Sequence, residues 1–79
     1  MANIKFNIVK SLGVLAEGSG GWQKEINLVS WNDRKAKADI RDWDEEHEKM
    51  RKGITLTKEE LKELKRILNE TDIDALNMA

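Results

Sequence analysis

The fold is decided by residues 22–43, which read WQKEINLVSWNDRKAKADIRDW. Apolar and polar side chains alternate on both sides of a polar centre, as they do in half-buried strands. The central Asn32-Asp33-Arg34-Lys35 is rich in turn-forming residues and predicts a hairpin between two strands. One face of this hairpin carries aliphatic side chains: Ile26, Leu28, Ala38 and Ile40. We expect that face to form the core.

The flanking sequence predicts two more strands and one helix. Gly13 interrupts the alternation of the first strand and indicates a bulge or bend, and the glycine-rich residues 18–21 form a turn. Thr57 and Glu60 form a capping box before an apolar stripe at helical spacing. We expect strands at about 4–16, 22–32, 36–43 and 50–56 and a helix at about 58–69. The helix either ends near Asn69 or, as we favour, continues to about residue 76 against another subunit.

This order of elements defines a single α+β domain over residues 1–79. A domain of this size buries a thin core and is usually stabilised by disulfides, a metal or a second subunit. The sequence has no cysteine and only one histidine, which excludes disulfides and a structural zinc site. Association with a second subunit is the remaining way to stabilise so small a domain, so we expect the chain to form an oligomer.

Composition also limits the cellular setting. The net charge is −1, so a nucleic-acid binder with this sequence must collect its cations on one surface. No apolar run approaches the roughly 18 residues of a membrane span, and the first residues lack the pattern of a signal peptide. We therefore expect a cytoplasmic, nucleoid-associated protein without a membrane partner.

The face of the hairpin opposite the aliphatic one is the expected binding surface. Strand alternation places on it Asn27, Val29, Trp31, Lys37, Arg41 and Trp43, with Arg34 and Lys35 in the adjoining turn and Arg51 and Lys52 before the fourth strand. Exposed aromatic rings stack on unpaired bases while cations contact phosphates, which is how many proteins bind single strands. Glu25 and Asp39 share this face and would repel phosphate unless Lys37 or Arg41 pairs with them.

The tryptophans and His47 also allow simpler structural interpretations. The tryptophans could belong to the core, and we expect that of Trp22. His47 lacks the second histidine of a zinc-protease helix, and its segment has the composition of a solvated charged loop. We expect no catalytic residue, metal, cofactor or small-molecule substrate. An RNA binder stays open because stacking does not distinguish the sugars, and so does a module whose aromatic face binds a protein.

Two segments resemble a known family. ADIRDW at residues 38–43, followed by RKGITL at 51–56, is similar to the positive-cofactor-four family of single-stranded-DNA-binding transcriptional coactivators, especially its short bacterial members. The resemblance extends from about Ile4 to Leu68. It implies a four-stranded curved antiparallel sheet followed by one C-terminal helix, and a homodimer formed through the helices and fourth strands. It also implies channels that bind single-stranded DNA with little sequence preference, in support of transcription, replication or repair.

The resemblance also implies which residues bind nucleic acid. By position they are Lys10, Trp31, Arg34, Lys35, Lys37, Arg41, Trp43, Arg51, Lys52 and Gly53, to which strand alternation adds Asn27. Independently of the family, a glycine at position 53 indicates either a positive φ angle or a close approach of two backbones.

Overall fold

A computed structural model describes residues 4–79, and residues 1–3 of the predicted domain lie outside it. It confirms the α+β class, since four antiparallel strands form one curved sheet in the order β1-β2-β3-β4, followed by a helix. The elements are β1 Phe6–Glu17, β2 Gln23–Trp31, β3 Lys37–Trp43, β4 Ile54–Leu56 and α1 Lys58–Asn69. The fourth strand is shorter than expected, because Met50 makes only an isolated bridge to Trp43.

The helix begins and ends at identifiable signals. The predicted capping box is confirmed: the amide of Glu60 donates to the Thr57 hydroxyl at 3.1 Å, and the amide of Thr57 donates to the Glu60 carboxylate at 2.8 Å. At the other end the backbone of Asp72 is extended, and a separate 3₁₀ turn follows at Ile73–Ala75. The predicted continuation of the helix to residue 76 is therefore wrong. No helix among residues 4–79 is long and apolar enough to cross a membrane.

The β2–β3 hairpin turns at Asn32 and Asp33, whose φ angles are 51° and 61°. The amide of Arg34 donates to the carbonyl of Trp31 at 2.9 Å, which closes a four-residue turn. Positive φ angles at both central residues identify the type I′ geometry, in which asparagine and aspartate are well tolerated. The turn predicted from this polar segment is confirmed, and it places Arg34 beside Trp31.

The sheet is strongly curved because β1 is repeatedly bulged. The register between β1 and β2 shifts at Ile8/Lys10, at Ser11/Gly13 and at Val14/Ala16, and each bulge bends and twists a strand. Phe6 pairs with Trp31 at one end of β2, yet its ring centroid also lies 5.1 Å from that of Trp43, which pairs with the other end. In a flat sheet those ends would be roughly 25 Å apart. The bulge predicted at Gly13 is confirmed.

Curvature reverses the expected distribution of burial. The buried side chains of the concave face, at most 4 % exposed, are Glu25, Asn27, Val29, Asp39 and Trp43. On the opposite face only Ala38 is buried, and the other three aliphatic side chains of the predicted core are half-buried. The cause is that the concave face closes on itself, whereas α1 lies mainly against β3 and β4.

Candidate nucleic-acid interface

The open end of the concave face contains a groove of about 410 Å³ beside the β2–β3 hairpin. Four cationic side chains line it: Arg34, Lys35, Lys37 and Arg41. The half-buried indole of Trp31 forms one wall, and the remaining lining comes from Ile4, Asn32, Met50 and Thr55. We call this site the basic groove. It brings together five of the residues that the sequence predicted to bind nucleic acid.

Arg41 is held firmly within the basic groove. Its Nε and Nη2 donate to the two carboxylate oxygens of Asp39, both at 2.7 Å, and its guanidinium carbon lies 4.6 Å from the centroid of the Trp31 ring. Asp39 is fully buried, so this two-pronged pair neutralises its charge beneath the groove. The condition under which Asp39 would not repel phosphate is therefore met, because Arg41 pairs with it.

The other three cations of the basic groove remain available to a ligand. Arg34, Lys35 and Lys37 are exposed, and none takes part in a salt bridge within residues 4–79. Cations that carry no internal partner attract phosphate and release its counterions on binding. The arrangement is an aromatic wall beside three exposed positive charges.

The far end of the concave face is closed. Trp43 is 0 % exposed and lies between the rings of Phe6 and His47, whose centroids are 5.1 Å and 5.7 Å away. The expected exposure of Trp43 is wrong, because the start of β1 and the loop before β4 cover its indole. In this conformation Trp43 supports the floor of the concave face and has no surface on which a base could stack.

Glu25 has a partner that the sequence analysis missed. The Nε2 atom of His47 lies 2.9 Å and 3.0 Å from the two oxygens of Glu25, and Asn27 Nδ2 donates to one of them at 3.0 Å. His47 Nε2 is thus within hydrogen-bonding distance of both carboxyl oxygens of Glu25. Neither Lys37 nor Arg41 neutralises Glu25, and Asn27, at 1 % exposure, supports this carboxylate from below the surface.

The loop that carries His47 is a compact turn. The Oδ1 atom of Asp44 accepts hydrogen bonds from the amides of Glu48 and Lys49, both at 2.9 Å, and His47 adopts a φ of 57°. The predicted solvated charged loop is present: Glu45, Glu46 and Glu48 are exposed, and the His47 side chain, 39 % exposed, lies at the edge of the loop against Glu25. The one available signal was Glu25 itself, an acid on the predicted binding face that needed a partner. No local sequence pattern identified that partner as a residue 22 positions further along the chain.

Gly53 fits beneath Arg41. A Cβ atom at position 53 would lie 2.3 Å from Arg41 Cβ and 2.3 Å from the carbonyl oxygen of Ile40, so only glycine permits this approach. Of the two interpretations of this glycine, close approach is confirmed, and its φ is not positive. Gly53 thus lies against the backbone that carries Arg41 and does not itself line the basic groove.

Six predicted residues do not line the basic groove: the buried Asn27 and Trp43, the close-packed Gly53, and the three cations Lys10, Arg51 and Lys52. The guanidinium of Arg51 stacks on Trp22, 4.0 Å from its ring centroid, and lies 3.7 Å from Asp42 on the opposite side of the sheet. Lys10 is exposed on β1, where its register partner is Leu28, and Lys52 is exposed before β4. For these three cations a contact with nucleic acid stays a prediction.

A strongly curved antiparallel sheet with an indole and free cations on its concave face has the features of a small nucleic-acid-binding module. Comparison with known proteins agrees: residues 19–67 match the family model described as Transcriptional Coactivator p15 (PC4). An uncharacterized protein of Treponema pallidum (strain Nichols) is 38% identical over 69 residues, which cover 87% of this chain and 81% of that protein. The chain belongs to the Transcriptional Coactivator p15 (PC4) family, as the resemblance in its sequence indicated. This is a non-enzymatic, nucleic-acid-binding family, and membership suggests a coactivator-like role.

Proposed function

We propose that the protein binds single-stranded DNA in the basic groove, with little sequence preference, and that it acts as a homodimer in transcription, replication or repair. The observation that carries the proposal is the half-buried indole of Trp31 beside three exposed cations that form no salt bridge within residues 4–79. A base stacks on an aromatic ring irrespective of its identity, while lysine and arginine contact the sugar–phosphate backbone. Neither contact reads a sequence.

The geometry favours an unpaired strand over a duplex. In double-stranded DNA the faces of the bases are stacked inside the helix, so a duplex could reach the cations but not the indole. In the basic groove the guanidinium of Arg41 lies over the ring of Trp31, 4.6 Å from its centroid, and an unstacked base can extend this flat stack from the side that remains open. We therefore expect single strands to bind more tightly than duplexes of equal length.

The homodimer is supported by apolar surface that one chain leaves uncovered. Ile67 and Leu68 of α1 are both 47 % exposed and Ile54 of β4 is 55 % exposed, while Leu61 and Leu64 are only half-buried. A small soluble domain rarely exposes this much contiguous aliphatic surface without a protein partner. A second copy, packed through the helices and fourth strands, would cover it and supply the stabilisation that a thin core lacks.

A titration with oligo-dT, followed by tryptophan fluorescence, tests the function. We expect saturable quenching in the wild type that is lost in Trp31→Ala and retained in Trp22→Phe, which removes an indole outside the basic groove. Matched RNA and duplex competitors in the same assay decide between the nucleic acids. Failure of the wild type to bind any single strand at low salt would refute the proposal. That result would favour the alternative in which the aromatic face binds a protein.

A further inference from the structure

A methionine side chain lies in the wall of the basic groove, against the guanidinium of Arg41. Nη1 of Arg41 lies 3.7 Å from the Sδ atom of Met50, and the half-buried Met50 lines the groove beside Trp31. Met78, the other methionine that the structure describes, is 69 % exposed and does not line this groove. Met50 therefore brings an oxidisable sulfur atom into the proposed DNA-binding surface.

The sulfur atom contacts the part of the Arg41 guanidinium that Asp39 leaves unoccupied. Nε and Nη2 donate to the two carboxylate oxygens of Asp39, both at 2.7 Å. Within residues 4–79, Nη1 makes only two long contacts, 3.7 Å to Met50 Sδ and 3.5 Å to the carbonyl oxygen of Arg51. A thioether is a weak acceptor, and 3.5 Å is long for a hydrogen bond. Nη1 is therefore the nitrogen with which Arg41 can best donate to a phosphate oxygen.

The backbone around Met50 directs its side chain towards Arg41. Met50 forms an isolated antiparallel bridge with Trp43, and residues directly opposite each other in such a pair share one face. Next to this bridge the amide of Arg51 donates to the carbonyl of Asp42 at 3.0 Å. Met50 is thus attached to the end of β3 on the concave face, and an atom added to its sulfur would form within reach of Nη1.

We propose that Met50 is a site of reversible oxidation, at which hydrogen peroxide lowers the affinity of the protein for single-stranded DNA. The thioether sulfur attacks one peroxide oxygen, so that an S–O bond forms and the O–O bond breaks. Sulfur is oxidised by two electrons, and the second oxygen takes up the proton of the first and leaves as water. The sulfoxide oxygen is a stronger acceptor than the thioether and competes with phosphate for Nη1 of Arg41. This inference rests on the proposed DNA binding and adds redox regulation to the same site.

The dissociation constant for oligo-dT, measured before and after peroxide treatment, tests the proposal. The peroxide dose is limited so that the intact mass rises by at most one oxygen atom per methionine. We expect the dissociation constant of the wild type to rise about tenfold, the effect of one hydrogen bond to a charged group. Methionine sulfoxide reductases of both stereospecificities should reverse the change. Treatment should leave the dissociation constant of Met50→Leu unchanged from its own starting value, whereas Met78→Leu should respond as the wild type does.

Two further measurements do not depend on the affinity of the oxidised protein. Peptide mapping should show that excess oligo-dT slows the oxidation of Met50 several-fold and leaves that of Met78 unchanged, because only Met50 lines the basic groove. Without any peroxide, Met50→Gln should bind oligo-dT more weakly than Met50→Leu, since its amide oxygen offers Arg41 a stronger acceptor than a thioether does.

The outcomes separate this proposal from the proposed function. If the reduced wild type binds oligo-dT and its affinity changes by less than about twofold on full oxidation of Met50, redox regulation is refuted and DNA binding stands. A loss of affinity that persists in Met50→Leu, or that accompanies unfolding of the oxidised protein in urea melts, would also overturn the role of Met50. A reduced wild type that binds no single strand refutes both.

Discussion

Replacement of Trp31 is the perturbation that most directly tests the basic groove. The indole is half-buried, with the guanidinium of Arg41 4.6 Å from its centroid and the Phe6 ring 5.9 Å away. Stacking on one base contributes about 1–3 kcal/mol, so Trp31→Ala should weaken single-stranded DNA binding by roughly 5- to 150-fold. Trp31→Phe keeps an aromatic face and should recover most of the affinity. The contact with Arg41 is worth about 0.5–1 kcal/mol of folding stability and should leave the variant folded.

The assay is fluorescence anisotropy of a labelled oligo-dT at one fixed salt concentration, with urea unfolding of each variant as the control for folding. Trp43→Phe is the matched comparison, because it alters the buried indole of the same face. We expect its folded fraction to bind as the wild type does. The loss should appear in stability and should be smaller than the roughly 3–5 kcal/mol that truncation of a buried tryptophan to alanine costs. A folded Trp31→Ala protein that binds within twofold of the wild type would refute the assignment, as would a selective loss of affinity in Trp43→Phe.

Three further outcomes follow from the same geometry. The logarithm of the DNA affinity, plotted against the logarithm of the salt concentration, should fall with a slope of about −2 to −3. The double variant Lys35→Ala with Lys37→Ala should reduce the magnitude of this slope by about 1.4, and an unchanged slope would mean that these lysines do not contact the phosphates. Gly53→Ala should lower the free energy of unfolding by about 1–3 kcal/mol in urea melts, because its new methyl group overlaps Arg41 and the backbone; wild-type stability would contradict that contact. The amide and hydroxyl of Thr57 lower the pKa of Glu60. The ionised Glu60 therefore stabilises the folded protein above the usual carboxyl pKa, and this stabilisation is lost as the pH falls through the lowered pKa. Glu60→Gln should be less stable than the wild type at neutral pH, and the difference in unfolding free energy should disappear on acidification.

Local signals accounted for much of the secondary structure. The turn at Asn32 and Asp33, the bulge at Gly13 and the capping box at Thr57 each depend on a few adjacent residues whose backbone preferences act at short range. The groove cations and Trp31 could be grouped from the sequence because strand alternation and the hairpin place them together. The end of the helix was misjudged, because an apolar stripe that continues in the sequence does not require the helix to continue.

Strand alternation determined which side chains share a face, and short-range chemistry determined where the chain turns and where the helix begins. Only the tertiary structure decided which part of the shared face is open. Three bulges in β1 curve the sheet until Phe6 reaches Trp43, so one indole is sealed and the other borders a groove. The partner of Glu25 was likewise decided in three dimensions, since His47 reaches it across 22 residues. Curvature accumulates along whole strands and burial depends on what folds over them, so neither is encoded in the pattern of any single segment.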